Sequence, residues 1–449
     1  MVIPRIVVAG TSSGVGKTTV ACGLIAALRA RGLTVQGFKV GPDYIDPSHH
    51  ALASGRPGRN LDAFLSGPEL IGPLTRHAAA GAEISIIEGV MGLFDGATGR
   101  GELASTAQVA KLLAAPVLLV VDGAAIARSV AAIVHGFASF DPQLTVAGVV
   151  LNRIGSEGHA ALLREAIAPL GIPVLGALGR DDRITAPERH LGLVPAAERP
   201  ARARAALQTL AGAIARDVDL DAVLRLARAA PALPGPAWDP GAEPVSELSV
   251  RVAIARGPAF SFHYEENLEL LRAAGAELTP FDPLVDPELP DNAQALLLAG
   301  GFPEAYGAEL EANAPLRAQV AALAAAGRPV LAECGGLLYL MQELDGHRMC
   351  GVLPGDGHMG GLHLGYREAT AATAVPWLAA GERVRGHEFH YSEVRPGPGA
   401  PPPAWELSLR DGPRAEGFAA GALQAGYLHV HWAAHPDIPR RFVAAAAAR

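Results

Sequence analysis

The chain has 449 residues, half of them hydrophobic, and a formal net charge of −8. That length exceeds the ~250–300 residues one core usually holds, so two domains are expected. The charges are scattered rather than blocked, which argues against a nucleic-acid or anionic-membrane surface.

The three cysteines, Cys22, Cys334 and Cys350, make no even framework. No stretch reaches the ~18 uninterrupted apolar residues of a membrane helix, and the N-terminus lacks the basic head and cleavage site of a signal peptide. A reduced cytoplasm is the expected compartment.

The first predicted element is a short apolar strand, IVVAG (6–10), which runs into Gly10-Thr11-Ser12-Ser13-Gly14-Val15-Gly16-Lys17-Thr18 and then a helix over 17–31. Between strand and helix, glycines let backbone N–H groups close around phosphates. The helix N-terminus adds its positive end, a lysine reaches the β/γ-phosphates, and a hydroxyl can bind magnesium. Nucleotide contacts are therefore expected from Thr11, Gly14, Val15, Gly16, Lys17, Thr18 and Thr19. The usual loop has Gly six residues before the Lys; here that position is Thr11, with Gly10 one place earlier.

GFKVGPDYIDP (37–47) follows, with Lys39 after a probable strand and Asp43, Tyr44 and Asp46 in a Pro-bounded loop. ISIIEG (84–89) reads as a buried strand ending in Glu88, where such folds place a magnesium ligand. Thr18, Asp43 and Glu88 are the candidate metal ligands. PVLLVVD (116–122), a helix over 124–138 and VAGVVLN (146–152) continue the alternation of buried strand and helix, the signature of a parallel α/β sheet. Asn152 ends its strand where it could meet a nucleobase or simply form a turn.

Five prolines in 231–248 break both periodicities and read as a linker. The pattern then restarts with RVAIA (251–255), a helix near 263–274, ALLLAGG (295–301), a helix near 308–326 and PVLAECGG (329–336). The division is 1–230, a linker 231–249, and 250–449, each domain an α/β unit with a mainly parallel sheet flanked by helices.

Cys334 follows a buried strand and precedes Gly335-Gly336 and a helical stretch. A sharp strand-to-helix elbow exposes a nucleophile, and the helix N-terminus favours its thiolate. The Gly335 N–H can then help hold an oxyanion, with a second donor from Gly300 or Gly301. Ala332 stands where such elbows usually have Gly. Cys22 and Cys350 read as buried small hydrophobes. A Cys nucleophile needs a base; His429, in YLHVHW (427–432), is the candidate, with His431 and His435 as alternatives. After 395 a Pro-rich loop is expected, and after 432 a short terminal helix.

GTSSGVGKTT, GPDYIDP, EGVMGLFDG, PVLLVVD and PERHLGLVPAAE (186–198) together resemble the cobyrinic acid a,c-diamide synthase family, whose N-terminal half resembles dethiobiotin synthetase. AFSFHYEENLELLRAAGAEL (259–278), AECGGLLYL and RGHEFHYS (385–392) extend the likeness to nearly the whole chain. The resemblance implies that ATP phosphorylates a carboxylate and that nitrogen attacks the acyl phosphate. Asp43, Tyr44 and Asp46 would lie near that carboxylate, and Thr11, Gly14 to Thr19, Lys39 and Asn152 near ATP. The second half resembles class I glutamine amidotransferases, which implies hydrolysis of L-glutamine at Cys334 and His429, with ammonia passed on. Many members carry an acid two residues after the His; here it is His431, so a Cys–His dyad is expected and the third group is open. His387, Glu388 and His390 would serve substrate binding or domain contact rather than a metal.

The implied substrate is a corrinoid, cobyrinic or metal-free hydrogenobyrinic acid, with Mg2+, ATP and glutamine required and a homodimer one open oligomeric state. A related branch acts on a nickel tetrapyrrole. A P-loop switch ATPase would carry a signature Lys where Ser12 stands. A tetrapyrrole-binding module that had lost its catalytic pair would lack Cys334 and His429.

Overall fold

A strand whose every side chain is apolar is stable only when both faces of its sheet are covered. The first half of the chain meets that condition. In the computed structural model, which describes residues 3–180, 198–242 and 249–448 and the backbone of 188–189 and 192–193, seven parallel strands form one sheet. In chain order they are β1 (Arg5–Gly10), β2 (Val35–Val40), β3 (Arg59–Leu61), β4 (Ile84–Glu88), β5 (Val117–Asp122), β6 (Val146–Ile154) and β7 (Val174–Gly179). Their spatial order is β3-β2-β4-β1-β5-β6-β7.

Among the described residues eight helices accompany this sheet: α1 (Lys17–Ala30), α2 (Ile45–Ser54), α3 (Pro68–Ala78), α4 (Thr106–Leu112), α5 (Val130–Ser139), α6 (Glu157–Ile167), α7 (Pro200–Asp217) and α8 (Leu220–Arg228). One core joins Ile6, Val8, Ile86 and Val120 of the strands to Leu24 and Leu28 of α1 and Ile214 of α7. The helix expected over 124–138 starts only at Val130. The Asp122 carboxylate accepts from Ala124 N, and Ala125 takes a positive φ of 52°, so the chain turns before it can wind. Most of 186–198 lies outside the described residues.

Contacts divide the chain into two units, Met1–Trp238 and Asp239–Arg449. The first part of the Pro-rich stretch packs on the first unit. Buried Arg5 donates to Leu113 O (2.6 Å), Ile3 O (2.9 Å) and Pro231 O (2.8 Å). Arg76 of α3 donates to Leu233 O, and Trp238 N donates to Pro73 O. Residues 243–248 of the expected linker lie outside the described residues.

The second unit holds a sheet ordered 276–281, 250–255, 295–298, 330–333, 423–426 and 418–420, parallel except for its last strand. It also holds a second, largely antiparallel sheet, built around the long hairpin of Leu353–Ala371 and Arg383–Pro396. The helix expected over 308–326 is two, Gly307–Ala312 and Ala314–Ala325. Pro315 has no N–H to give and sits in the first turn of the second, while the Asn313 amide donates to Pro283 O and Asp286 O. The expected strand 427–432 shrinks to His429–Val430, followed by a 3-10 turn at Trp432–Ala434. Among the described residues, no helix is long and apolar enough to cross a membrane.

Replacing Arg5 by Leu leaves two enclosed carbonyls and the partly buried Pro231 O without their charged donor, and each such bond contributes about 1.5–3 kcal/mol. Apolar packing of Leu offsets part of this, so a net loss of about 3 kcal/mol is expected. Urea unfolding of the first unit should show it as a lowered midpoint, with faster proteolytic cleavage in 231–238.

Candidate functional sites

In a parallel sheet the carboxyl ends of the strands and the N-termini of the following helices meet on one edge, and ligands bind there. In the first unit β1 runs into the Gly10–Lys17 loop. Gly14 and Gly16 take φ values of 76° and 99°. A Cβ on Gly16 would lie 2.1 Å from the Asn152 amide nitrogen, so only glycine fits. Asn152 Nδ2 donates to Val15 O (2.9 Å), and Arg153 donates to Gly14 O (2.7 Å) and pairs with Asp122 (2.5 Å). Asn152 thus braces the loop from the end of β6. Thr11 N donates to Val120 O, and Thr19 lies half-buried in the first turn of α1. Lys17 Nζ turns back to Ser12 O at 2.9 Å. Burial, with Lys39 nearby, lowers its pKa to about 8.

Beside the loop, β2 and β4 are in register with Lys39 opposite Glu88. Lys39 Nζ lies 2.8 Å from Glu88 Oε1 and 2.6 Å from Asp46 Oδ2. Thr18 Oγ1 donates to Glu88 Oε1 at 2.6 Å and lies 3.4 Å from Asp46 Oδ2. His50 Nε2 of α2 lies 2.7 Å from Glu88 Oε2. Burial opposes the charge on Lys39, but Asp46 and Glu88 outweigh it and raise its pKa. Burial likewise opposes the charge on Glu88, yet Lys39 and His50 hold it well below the usual carboxylate range. Asp46 is raised well above that range by burial, Asp43 and Glu88. Asp43 itself accepts from Ile45 N and Asp46 N at the start of α2, and Tyr44 is half-buried between them.

Of the expected metal ligands Thr18 and Glu88 meet, whereas Asp43 caps the start of α2 and Asp46 stands beside them instead. Thr18, Asp46 and Glu88 make an all-oxygen donor set, the kind that suits magnesium. Cys22, His50 and Glu88 have ligand atoms within 4.8 Å of one another, but burial raises the Cys22 thiol well above its usual value and keeps it protonated.

In the second unit the strand Val330–Glu333 ends at Cys334, which has φ 49° and ψ −102°, and a helix runs from Gly335 to Leu340. Cys334 N donates to Gly426 O (2.7 Å). A Cβ on Gly335 would come within 3.0 Å of Gly301 N, and one on Gly301 within 2.1 Å of Ala259 O. The two glycines therefore bring their backbones together beside the thiol. His429 is hydrogen-bonded to Cys334, and its Nδ1 lies 3.3 Å from Glu333 Oε2. A Cβ on Gly300 would press on its Cε1 at 2.6 Å. Burial alone would lower the His429 pKa; the hydrogen bonds with Cys334 and Glu333 outweigh it and raise it to about 10.

The His387 ring stacks on His429 at 5.0 Å between centroids. Burial, with His429, Arg367 and His431 near, holds His387 far below the usual histidine value, so it stays neutral. His431 lies 3.5 Å from Glu266 and packs on Tyr264. Glu388 is paired with Arg367 (2.5 Å) and with Arg414. Cys350 is enclosed and its thiol pushed up by burial.

Residues 6–194 match the CobQ/CobB/MinD/ParA nucleotide binding domain, and residues 251–437 match the CobB/CobQ-like glutamine amidotransferase domain. The hydrogenobyrinate a,c-diamide synthase of Streptomyces coelicolor is 54% identical, over 98% of this chain and 97% of its own. That of Mycobacterium tuberculosis is 50% identical, over 100% and 99%. The cobyrinate a,c-diamide synthase of Syntrophotalea carbinolica is 48% identical, over 99% and 98%. The chain belongs to the cobyrinate and hydrogenobyrinate a,c-diamide synthase family. Within that family frame, the structure adds neighbours that sequence patterns did not point to. Arg153 and His50 reach their sites from elements where no motif marks them. Glu333 does so from the residue next to Cys334.

A group with a raised folded pKa contributes stability that is complete below its unfolded pKa and is lost as the pH climbs through the folded value. For His429 that window runs from 6.5 to about 10. The stability difference between the native chain and His429→Gln should therefore shrink across this range. Urea unfolding of the second unit at a series of pH values measures it.

Proposed function

We propose that this chain is a glutamine-hydrolysing, ATP-dependent amidoligase that converts the a and c side-chain carboxylates of hydrogenobyrinic acid to amides in cobalamin biosynthesis. The observation that carries this reading is the presence, in one chain, of a thiol–imidazole pair at Cys334 and His429 and a phosphate loop flanked by Lys39, Asp46 and Glu88. The metal-free ring is favoured because the relatives at 50–54% identity bear that name and the cobyrinate relatives stand at 44–48%.

At the second unit, the Cys334 sulfur attacks the glutamine amide carbon. The Gly335 and Gly301 N–H groups hold the oxyanion, and the proton on His429 leaves with ammonia. Water, deprotonated by His429, then releases glutamate from the thioester.

At the first unit, an oxygen of the ring carboxylate attacks the γ-phosphorus of ATP, and the bond to ADP breaks. Ammonia attacks the acyl phosphate carbon, phosphate leaves, and an amide remains. A second pass serves the other carboxylate. Two like charges ~4 Å apart repel by about 4 kcal/mol at an effective dielectric near 20, so carboxylate and triphosphate meet only where cations stand. Lys17 and Lys39 supply two. Magnesium held by Thr18, Glu88 and Asp46 would neutralise phosphate charge when bound. Ammonia from the first reaction is proposed to reach the second without mixing with solvent.

Purified protein given ATP, glutamine and hydrogenobyrinic acid should yield a product whose mass falls in two equal steps, one for each OH replaced by NH2. Conversion of the cobalt ring alone would reassign the substrate, and no conversion of either ring would sink the reading. Glutamine labelled in its amide nitrogen should deliver label undiluted by free ammonium.

Cys334→Ala should abolish glutamine-driven synthesis and keep synthesis from high free ammonia, as followed by product mass. Lys17→Ala should lower turnover with either nitrogen source at least ~100-fold, because it removes a charge that steadies the phosphates in the transition state. Steady-state rates at saturating ammonia measure this.

A further inference from the structure

A thiol–imidazole pair hydrolyses an amide efficiently only when the imidazole keeps one tautomer and one orientation, which takes a third group on its other nitrogen. The position two residues after His429 holds His431, which cannot provide a carboxylate and lies against Glu266 instead. We infer that Glu333, the residue immediately before the nucleophile, is the positioning residue for His429. This rests on the glutaminase reading above and deepens it.

The backbone explains how neighbours in sequence can serve one ring. Successive side chains on a strand point to opposite faces. Glu333 closes the strand Val330–Glu333 and Cys334 would face away from it if the strand continued. The φ of 49° at Cys334 breaks that alternation. Both side chains then converge on His429, Glu333 Oε2 at 3.3 Å from Nδ1 and the thiol in its own hydrogen bond to the ring. Opposite Glu333 in the sheet is Gly426, which has no side chain to compete for the space.

Among the described residues, the other enclosed glutamates of this unit are engaged elsewhere. Glu266 faces His431, Glu388 is held by Arg367 and Arg414, and Glu416 accepts from Tyr427 N. The titratable groups facing His429 are thus Cys334, Glu333 and the stacked His387, which stays neutral, with His431 behind it. Among the described residues, Glu333 is the carboxylate that faces the ring. With Nδ1–H donated to Glu333, Nε2 is left to exchange a proton with the thiol and the leaving ammonia.

The test compares Glu333→Gln, Glu333→Asp and Cys334→Ala in the full chain, with glutamine or with high ammonia as nitrogen source. Glu333→Gln should lower glutamine-driven kcat about 100-fold and leave the KM for glutamine and the ammonia-driven rate near native values. The His429 imidazole resonance should titrate at lower pH than in the native chain, and Glu333→Asp should recover part of the rate. A merely structural role would not move that titration. Native-like glutamine hydrolysis in Glu333→Gln would overturn the inference, as would equal loss of the ammonia-driven rate in both Glu333 variants. If Cys334→Ala still hydrolyses glutamine, the glutaminase reading itself falls.

Discussion

Two charged side chains enclosed at the ends of adjacent strands organise the first unit. Glu88 is fully buried and Lys39 nearly so. An unpaired ion there would cost several kcal/mol, and removing either partner strands the other. Parallel register puts the two side by side. Their remaining hydrogen-bonding capacity then draws in Thr18 from α1 and Asp46 and His50 from α2. The phosphate loop, the acidic loop and the end of β4 therefore share one electrostatic centre. Movement of any one of them exposes charge in the other two.

The second unit solves a different problem with backbone strain. A non-glycine residue at the φ and ψ of Cys334 costs on the order of 1–3 kcal/mol, and it persists only when its surroundings hold it there. Here they do. The Gly426 carbonyl takes the Cys334 N–H, and a Cβ on Gly336 would collide with Leu298 O at 2.3 Å. The same tight packing brings Gly301 and Gly335 together. The thiol and the Gly335 N–H are placed by one turn, and Gly301 and the imidazole are brought to it from other parts of the chain.

Much of this is legible in the sequence alone. Buried strands, the phosphate loop and the Cys334 elbow announce themselves because their physics is local, a few residues in fixed order. The helix at 308–326 misled because Pro315 near its middle was outweighed by an Ala-rich run. The antiparallel sheet was invisible for a similar reason. Its longest strand carries MGGLHLG (359–365), with Gly where an alternating pattern needs side chains, and a register shift between Met359 and His363. Glu333 was hidden by the alternation rule itself, which sends it away from its neighbour. Arg153 and His50 could not be found from spacing, since each meets its partner only through the fold.

The contact between Gly16 and Asn152 has a consequence for descent. The loop glycine and the strand-end asparagine are far apart in sequence, yet a single methyl group on one would overlap the amide of the other. The two positions are not equally constrained. A lineage that lost the asparagine would lose the brace on Val15, and one that lost the glycine would eject the asparagine. Position 16 is held to glycine by its own φ of 99° as well as by the asparagine, so the loop's shape stays with the glycine while the asparagine sets how firmly Val15 is braced.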